Sequence, residues 1–217
     1  MRWLLPAVCL SVARLAATQS KGAAGPGMVM GMIVHVGLES WIVQDGNYGE
    51  FEAGSNYRFA LEFYPLGLLA EPEPSGKTGL RCVIGAEHEV QGRVVCATDS
   101  RWVVDIGVPA FQQSKPPRWV SSGGAFAGRT YLGIDPFFYF EQLKDEPGMP
   151  DLFRNWRVCR IHLETTPWNE TTTSRGGKLV ERAKVTRTFV EVPRTDCWND
   201  DNGVANYVLE CELQEAG

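Results

Sequence analysis

Along this chain apolar and polar positions alternate over short runs, broken by turns rich in Gly, Pro, Asn and Asp. That pattern predicts antiparallel strands. The clearest case lies at 92–111, where apolar runs at 94–97 and 102–106 flank the polar turn Thr98-Asp99-Ser100-Arg101. Gly92 opens this hairpin, and Gly107 and Pro109 close it. Further strands are expected at 56–64, 80–84, 125–134, 156–164, 183–192 and 204–213. In the last of these Ala205, Tyr207, Leu209, Cys211 and Leu213 share one face, with Asn206, Val208, Glu210 and Glu212 on the other. One buried face and one wet face suit an antiparallel sheet. One helix stands out. Asp135 suits an N-cap and Pro136 the first helical position, and Phe137, Phe138, Tyr139, Phe140 and Leu143 make it apolar nearly all round, so burial is expected.

The hairpin has an echo at 31–46. Both copies carry a Gly, a β-branched pair, an acid with Ser, a Trp, a second branched pair, an Asp and a Gly. Strands at 32–36 and 40–44 would form a first hairpin equivalent to the second. A duplicated β-unit and convergence of two hairpins on strand-forming residues both account for the echo. Duplication would bury Trp41 and Trp102 alike.

The stretch 92–111, with its Gly-x-Val start, polar turn holding Asp, and apolar strand ending in Asp-x-Gly, resembles the opening hairpin of an oligonucleotide/oligosaccharide-binding (OB) barrel. The resemblance covers about twenty of 217 residues. It implies a small Greek-key barrel with a helix between the third and fourth strands, and the helix expected after 125–134 would plug one end. No motif carries that family's ligand residues onto positions here. The expected fold is mainly β, an antiparallel OB-like barrel with one short buried helix. It would run as a single domain over 28–217, with possible barrel halves at 28–88 and 89–213.

Composition is that of a globular chain, 44% hydrophobic and 22% charged, with seven Trp. The net charge is −5, against the basic excess common in nucleic-acid-binding domains. Charge is uneven. Residues 28–75 hold seven acids against Arg58, 171–194 hold six bases against Glu181 and Glu191, and 195–217 hold six acids and no base. Residues 1–27 read as a leader or a disordered segment outside the fold. The apolar stretch after Arg2 has the form of a weak secretory signal, but Arg14 interrupts it and no clean cleavage site follows. A cytoplasmic protein is the favoured expectation and secretion the alternative.

Chemistry-bearing motifs are sparse. The six Cys form no CxxC pair, which disfavours a zinc finger or ribbon. Cys82, Cys96, Cys159 and Cys211 lie in apolar runs and read as small buried hydrophobes. His88-Glu89 lacks the second His of HExxH, Ser75-Gly76-Lys77-Thr78 lacks the Gly that a phosphate-binding loop requires, and the Asp45-x-Asn47 turn lacks a closing acid for calcium. No cofactor and no metal are expected. The favoured function is a non-catalytic soluble β-barrel module that binds a protein partner or a small ligand. Its partner-binding candidates are Asp196, Trp198, Asp200 and Asp201, an acidic loop with an aromatic anchor. One alternative is single-stranded nucleic-acid binding through Arg175, Lys178, Arg182, Lys184 and Arg187. Another is an enzyme with a carboxylate site at Asp45, Asp105 and Asp135, ranked last because no nucleophile, base or metal set stands out.

Overall fold

A computed structural model describes residues 31–70, 78–172, 178–183 and 185–214. The leader at 1–27, and with it Arg175 and Lys184, lies outside the described residues. The strands in chain order are β1 (Ile33–Glu39), β2 (Asn56–Phe59), β3 (Leu61–Pro65), β4 (Gly79–Ile84), β5 (Glu87–Ala97), β6 (Trp102–Asp105), β7 (Pro109–Gln112), β8 (Ala125–Ile134), β9 (Arg154–Glu164), β10 (Trp168–Thr172), β11 (Lys178–Arg182), β12 (Phe189–Val192) and β13 (Asn206–Gln214). Helical elements are the short α1 (Ser40–Gln44), a π-helical turn at Tyr139–Leu143 and a 3-10 turn at Asp200–Gly203.

The fold is mainly β and contains a closed five-strand barrel. Its ring runs β5–β6–β7–β3–β8 and returns to β5. All contacts are antiparallel except β3 with β7, where Leu61 faces Ala110 in parallel. Four further strands extend the sheet in the order β12–β9–β13–β1 to reach β8. β2 also pairs with β9, and Ala60 alone separates β2 from β3. The strand β5 runs through residue 88, where the sequence suggests a divide. Strands β8, β9 and β13 from beyond that point pair with β1, β2 and β3 from before it.

One continuous core serves both the ring and the extension. It includes Val36, Leu38, Phe59, Phe63, Trp102, Phe126, Trp156 and Tyr207. The last strand alternates in part: Tyr207, Leu209 and Cys211 are buried as expected, but Val208, expected on the wet face, is buried too. Gly92 is needed where β5 crosses the start of the β6–β7 turn. A Cβ there would come within 2.8 Å of Phe126 and 2.9 Å of Ile106 and would overlap the Asp105 carbonyl.

Several expectations are corrected. Residues 40–44 are helical, so the first hairpin does not form and the echo is not a structural repeat. β1 pairs with β13 instead, Leu38 facing Tyr207. Both the amide and the hydroxyl of Ser40 donate to the Ala205 carbonyl (3.0 and 2.9 Å), and the Asp45 amide donates to the Trp41 carbonyl. These tertiary and local bonds override the strand preference of Ile42 and Val43. Trp41 is therefore 44% exposed, whereas Trp102 is 1% exposed.

The expected helix is displaced as well. Phe137 has φ of +80°, so the chain cannot turn helically straight after Pro136. The Asp135 carboxylate still caps, accepting from the Tyr139 amide at 3.1 Å. The turn follows the last ring strand and does not plug the barrel. Neighbouring strand residues point to opposite faces: Trp102, Val104 and Ala110 face the main core, while Val103 and Phe111 form a separate cluster with Tyr139 and Leu143. The turn thus packs on the outer face of β6–β7. Phe140 is exposed, with the Lys144 ammonium 3.7 Å above its ring. Cys82 is exposed too, because β4 is an edge strand, and Cys96 and Cys159 are half-buried. The polar stretch after 164 contains the hairpin β10–β11.

Asp135 makes a testable case. It is fully buried, and its Oδ1 has no hydrogen-bond partner. Burial pushes its carboxyl up to about 7 from 3.8; the Glu62 charge adds to this, and the Tyr139 and Phe138 amides oppose it. A folded-state value above the unfolded one means that ionisation costs the folded state. The stabilising effect of the protonated form is complete below the unfolded value and is lost as pH rises through about 7. We therefore expect Asp135→Asn to gain on the wild type as pH rises from about 4 to about 7. Paired urea titrations at each pH would measure the difference.

Candidate functional site

A cleft of about 320 Å³ opens where the ring meets the extension. β8 builds its floor. Tyr131 of β8 faces Glu87 of β5 on one side and Tyr64 of β3 on the other. Two residues on, Gly133 pairs in parallel with Gly37 of β1. This glycine pair leaves room for the Tyr131 ring. A Cβ on Gly37 would overlap the Tyr131 hydroxyl and lie 3.0 Å from Cε1, and one on Gly133 would sit 3.5 Å from Cε1. The walls add Glu39, Glu164, Arg182, Arg187 and the β13 residues Asn206, Tyr207 and Val208.

The charges are organised around the phenol. Arg129 Nη2 holds one Glu87 carboxylate oxygen at 2.7 Å and Arg187 Nη2 the other at 3.3 Å. Arg187 Nε also stands 3.9 Å from Glu164 Oε1. The Glu164 side chain is 7% exposed, and its Oε1 accepts no hydrogen bond. Burial pushes the Tyr131 hydroxyl well above its ordinary value. Glu39, Glu164 and Glu87 push it further, and Arg187 opposes them. Tyr64 is also raised, first by burial and then by the 2.5 Å hydrogen bond it donates to Glu62. Both phenols stay protonated at neutral pH and act as donors. Among the described residues no Ser, Thr, Cys or His lines the cleft.

The predicted site residues fall into three groups. In the acidic loop, each carboxylate has an internal task. Asp196 accepts from the Asn199 amide and side chain (3.2 and 2.8 Å). Asp200 accepts from the Tyr207 hydroxyl at 2.7 Å. Asp201 accepts from Trp168 Nε1 at 2.7 Å and Arg182 Nη2 at 2.6 Å. Gln44 of α1 ties the loop down by donating to the Cys197 and Gly203 carbonyls. Trp198 is 64% exposed. The structure thus ties the three acids into the fold and leaves the aromatic free.

Of the predicted basic residues, Arg182 stacks 3.7 Å from the Trp168 ring and is paired with Asp201. Arg187 is paired with Glu87 and Glu164. Lys178 begins β11. Arg182 and Arg187 do come together, but in the charged cleft and beside carboxylates. The third set has separate local roles. Asp45 ends α1, Asp105 accepts from the Gly107 amide at 2.9 Å, and Asp135 lies beneath the π-helical turn. None of the three lines the cleft.

His35 and His88 meet edge to face with centroids 6.4 Å apart. Burial lowers both, His88 to about 4, and neutral His88 donates from Nδ1 to the Ala86 carbonyl at 3.0 Å. The pair is neutral and structural. Among the described residues no cluster of three or more His, Cys, Asp or Glu could hold a metal, and no helix is long and apolar enough to cross a membrane. No family model, curated protein or solved structure matches the chain.

Proposed function

We propose that the protein is a non-catalytic, OB-like β-barrel binding module that takes a small polar ligand into the Tyr131 cleft. The observation that carries this reading is Glu164 Oε1, a buried acceptor at the cleft wall that accepts no hydrogen bond. An unsatisfied buried polar group costs about 1–3 kcal/mol, and a ligand donor would recover that energy. Tyr131, held neutral, supplies a donor to the same space, while the Tyr64 hydroxyl is already given to Glu62. The OB-like reading rests on the closed five-strand ring, although the helical turn departs from that family in position.

The test is a ligand-observed NMR screen of small polar molecules against the full chain. Binders should compete with one another and should lose affinity at least tenfold in Tyr131→Leu. Retention of every binder by that variant would place binding elsewhere. A protein-binding face remains the second reading, favoured by the exposure of Trp198. Trp198→Ala should leave stability within about 0.5 kcal/mol of wild type in urea unfolding. A larger loss would mean that the indole serves the fold. For the nucleic-acid alternative, Arg182 and Arg187 are already paired with carboxylates, so these two offer phosphates little free charge. If they carry the binding, a single-stranded oligonucleotide should bind weakly, with a shallow salt dependence.

A further inference from the structure

We infer that the ligand of the Tyr131 cleft is a small organic cation, an alkyl amine or guanidine, whose charged head is held by Glu164 and Glu39 against the Tyr131 ring. The inference rests on the cleft being a binding site and adds the chemical class. Charge decides it. Glu39, Glu87 and Glu164 line the cleft with Arg182 and Arg187, leaving one formal negative charge in excess. Counting the outer partners Arg129 and Asp201 adds one charge of each sign and preserves the excess. The two lining arginines are already engaged, Arg182 by Asp201 and the Thr166 carbonyl, Arg187 by Glu87 and Glu164. A carboxylate or phosphate ligand at Arg187 would have to break its pairs; Arg182 is held at both terminal nitrogens and keeps only a buried Nε without a partner.

Glu164 Oε1 offers the complement, an acceptor that makes no hydrogen bond and has only a long 3.9 Å ion pair to Arg187 Nε. An ammonium or guanidinium is a donor that also cancels the excess charge, and charge-assisted hydrogen bonds are about twice as strong as neutral ones. Tyr64, Tyr131 and Tyr207 contribute aromatic surface to the lining, which attracts cations. Size restricts the class further. At about 320 Å³ the cleft stands at the lower end of small-molecule sites, too small for an oligosaccharide.

The experiment uses the full chain and a matched series of n-butylamine, n-propylguanidine, n-butanol and sodium butyrate, titrated by ligand-observed NMR. The two cations should bind saturably, at least tenfold tighter than butanol, with no measurable butyrate binding. Glu164→Gln should weaken cation binding at least tenfold. Glu39→Gln, at an exposed position where folding is not at risk, should weaken it several-fold. Butanol binding as tightly as the amine, with both lost in Tyr131→Leu, would overturn the cation assignment and leave the cleft as a binding site. Silence from all four probes would overturn both. Cation binding unchanged in Glu164→Gln and Glu39→Gln would also overturn the assignment.

Discussion

Trp102→Ala will cost about 3–5 kcal/mol of stability, the range for large core aromatics, and Trp41→Ala less than about 1 kcal/mol. The two tryptophans occupy matching places in the sequence echo, yet their surroundings differ. Trp102 lies on the inner face of the ring, edge to face with Phe63 at 4.7 Å and Phe126 at 6.0 Å. Its Nε1 donates to Gln112 Oε1 across the β6–β7 pair at 3.0 Å. Truncation would leave a cavity walled by three strands, which a closed ring cannot collapse to fill. Trp41 lies on α1, and its Nε1 donates to Glu39 at 2.7 Å. Urea unfolding of both variants measures the contrast. In a domain of this size the Trp102 variant should melt about 10 °C lower. Equal costs would mean that Trp41 is packed far more tightly than its exposure indicates.

Alternation made most strands legible, because Val, Ile and aromatic residues at every second position have one sheet face to occupy. The hairpin at 92–111 and the strand ending at Gln214 are of this kind. Ring closure was not legible. It depends on β3 lying parallel to β7 and antiparallel to β8, pairings between segments that share no local signal. The sequence 40–44 misleads for a related reason: the Ala205 carbonyl that fixes Ser40 is 165 residues away. Strands β10 and β11 escaped because Asn169, Glu170, Thr171 and Thr172 read as loop. Phe137 shows a local limit, since its left-handed backbone delays the helical turn by several residues.

The cleft was still harder to see. Glu39, Glu87, Tyr131, Glu164 and Arg187 come from five separated segments, and each reads by itself as an ordinary surface residue. Arg182 and Arg187 were singled out for their charge, but the carboxylates that neutralise them are distant in sequence. Asp201 was singled out too, as a docking residue; within the fold it accepts from Arg182 and Trp168, partners distant in sequence. The one local clue was glycine at 133 beside Tyr131, and it gains meaning only when β1 brings Gly37 alongside.

That glycine pair gives the second large effect. Gly37→Ala should cost about 3 kcal/mol, the upper end for overpacking, and should abolish binding in the cleft. The Gly37 backbone has no need of a left-handed conformation, so the cost is purely steric. The added methyl overlaps the Tyr131 hydroxyl and Cζ, and the ring is confined on its other side by Gly133 and Tyr64. It can escape only by swinging, which moves the phenol relative to Glu39 and Glu164, whose charges it now feels. Steric origin and site geometry are separable in a double-mutant cycle. With Tyr131→Ala in the background, Gly37→Ala should lose most of its cost, giving a coupling of at least about 1 kcal/mol between the two positions. Additive costs would show that the methyl strains the β1–β8 backbone pairing itself. In that event the Tyr131 ring could keep its position, and a Gly37→Ala protein that unfolds at lower urea would still bind the cleft ligand with wild-type affinity.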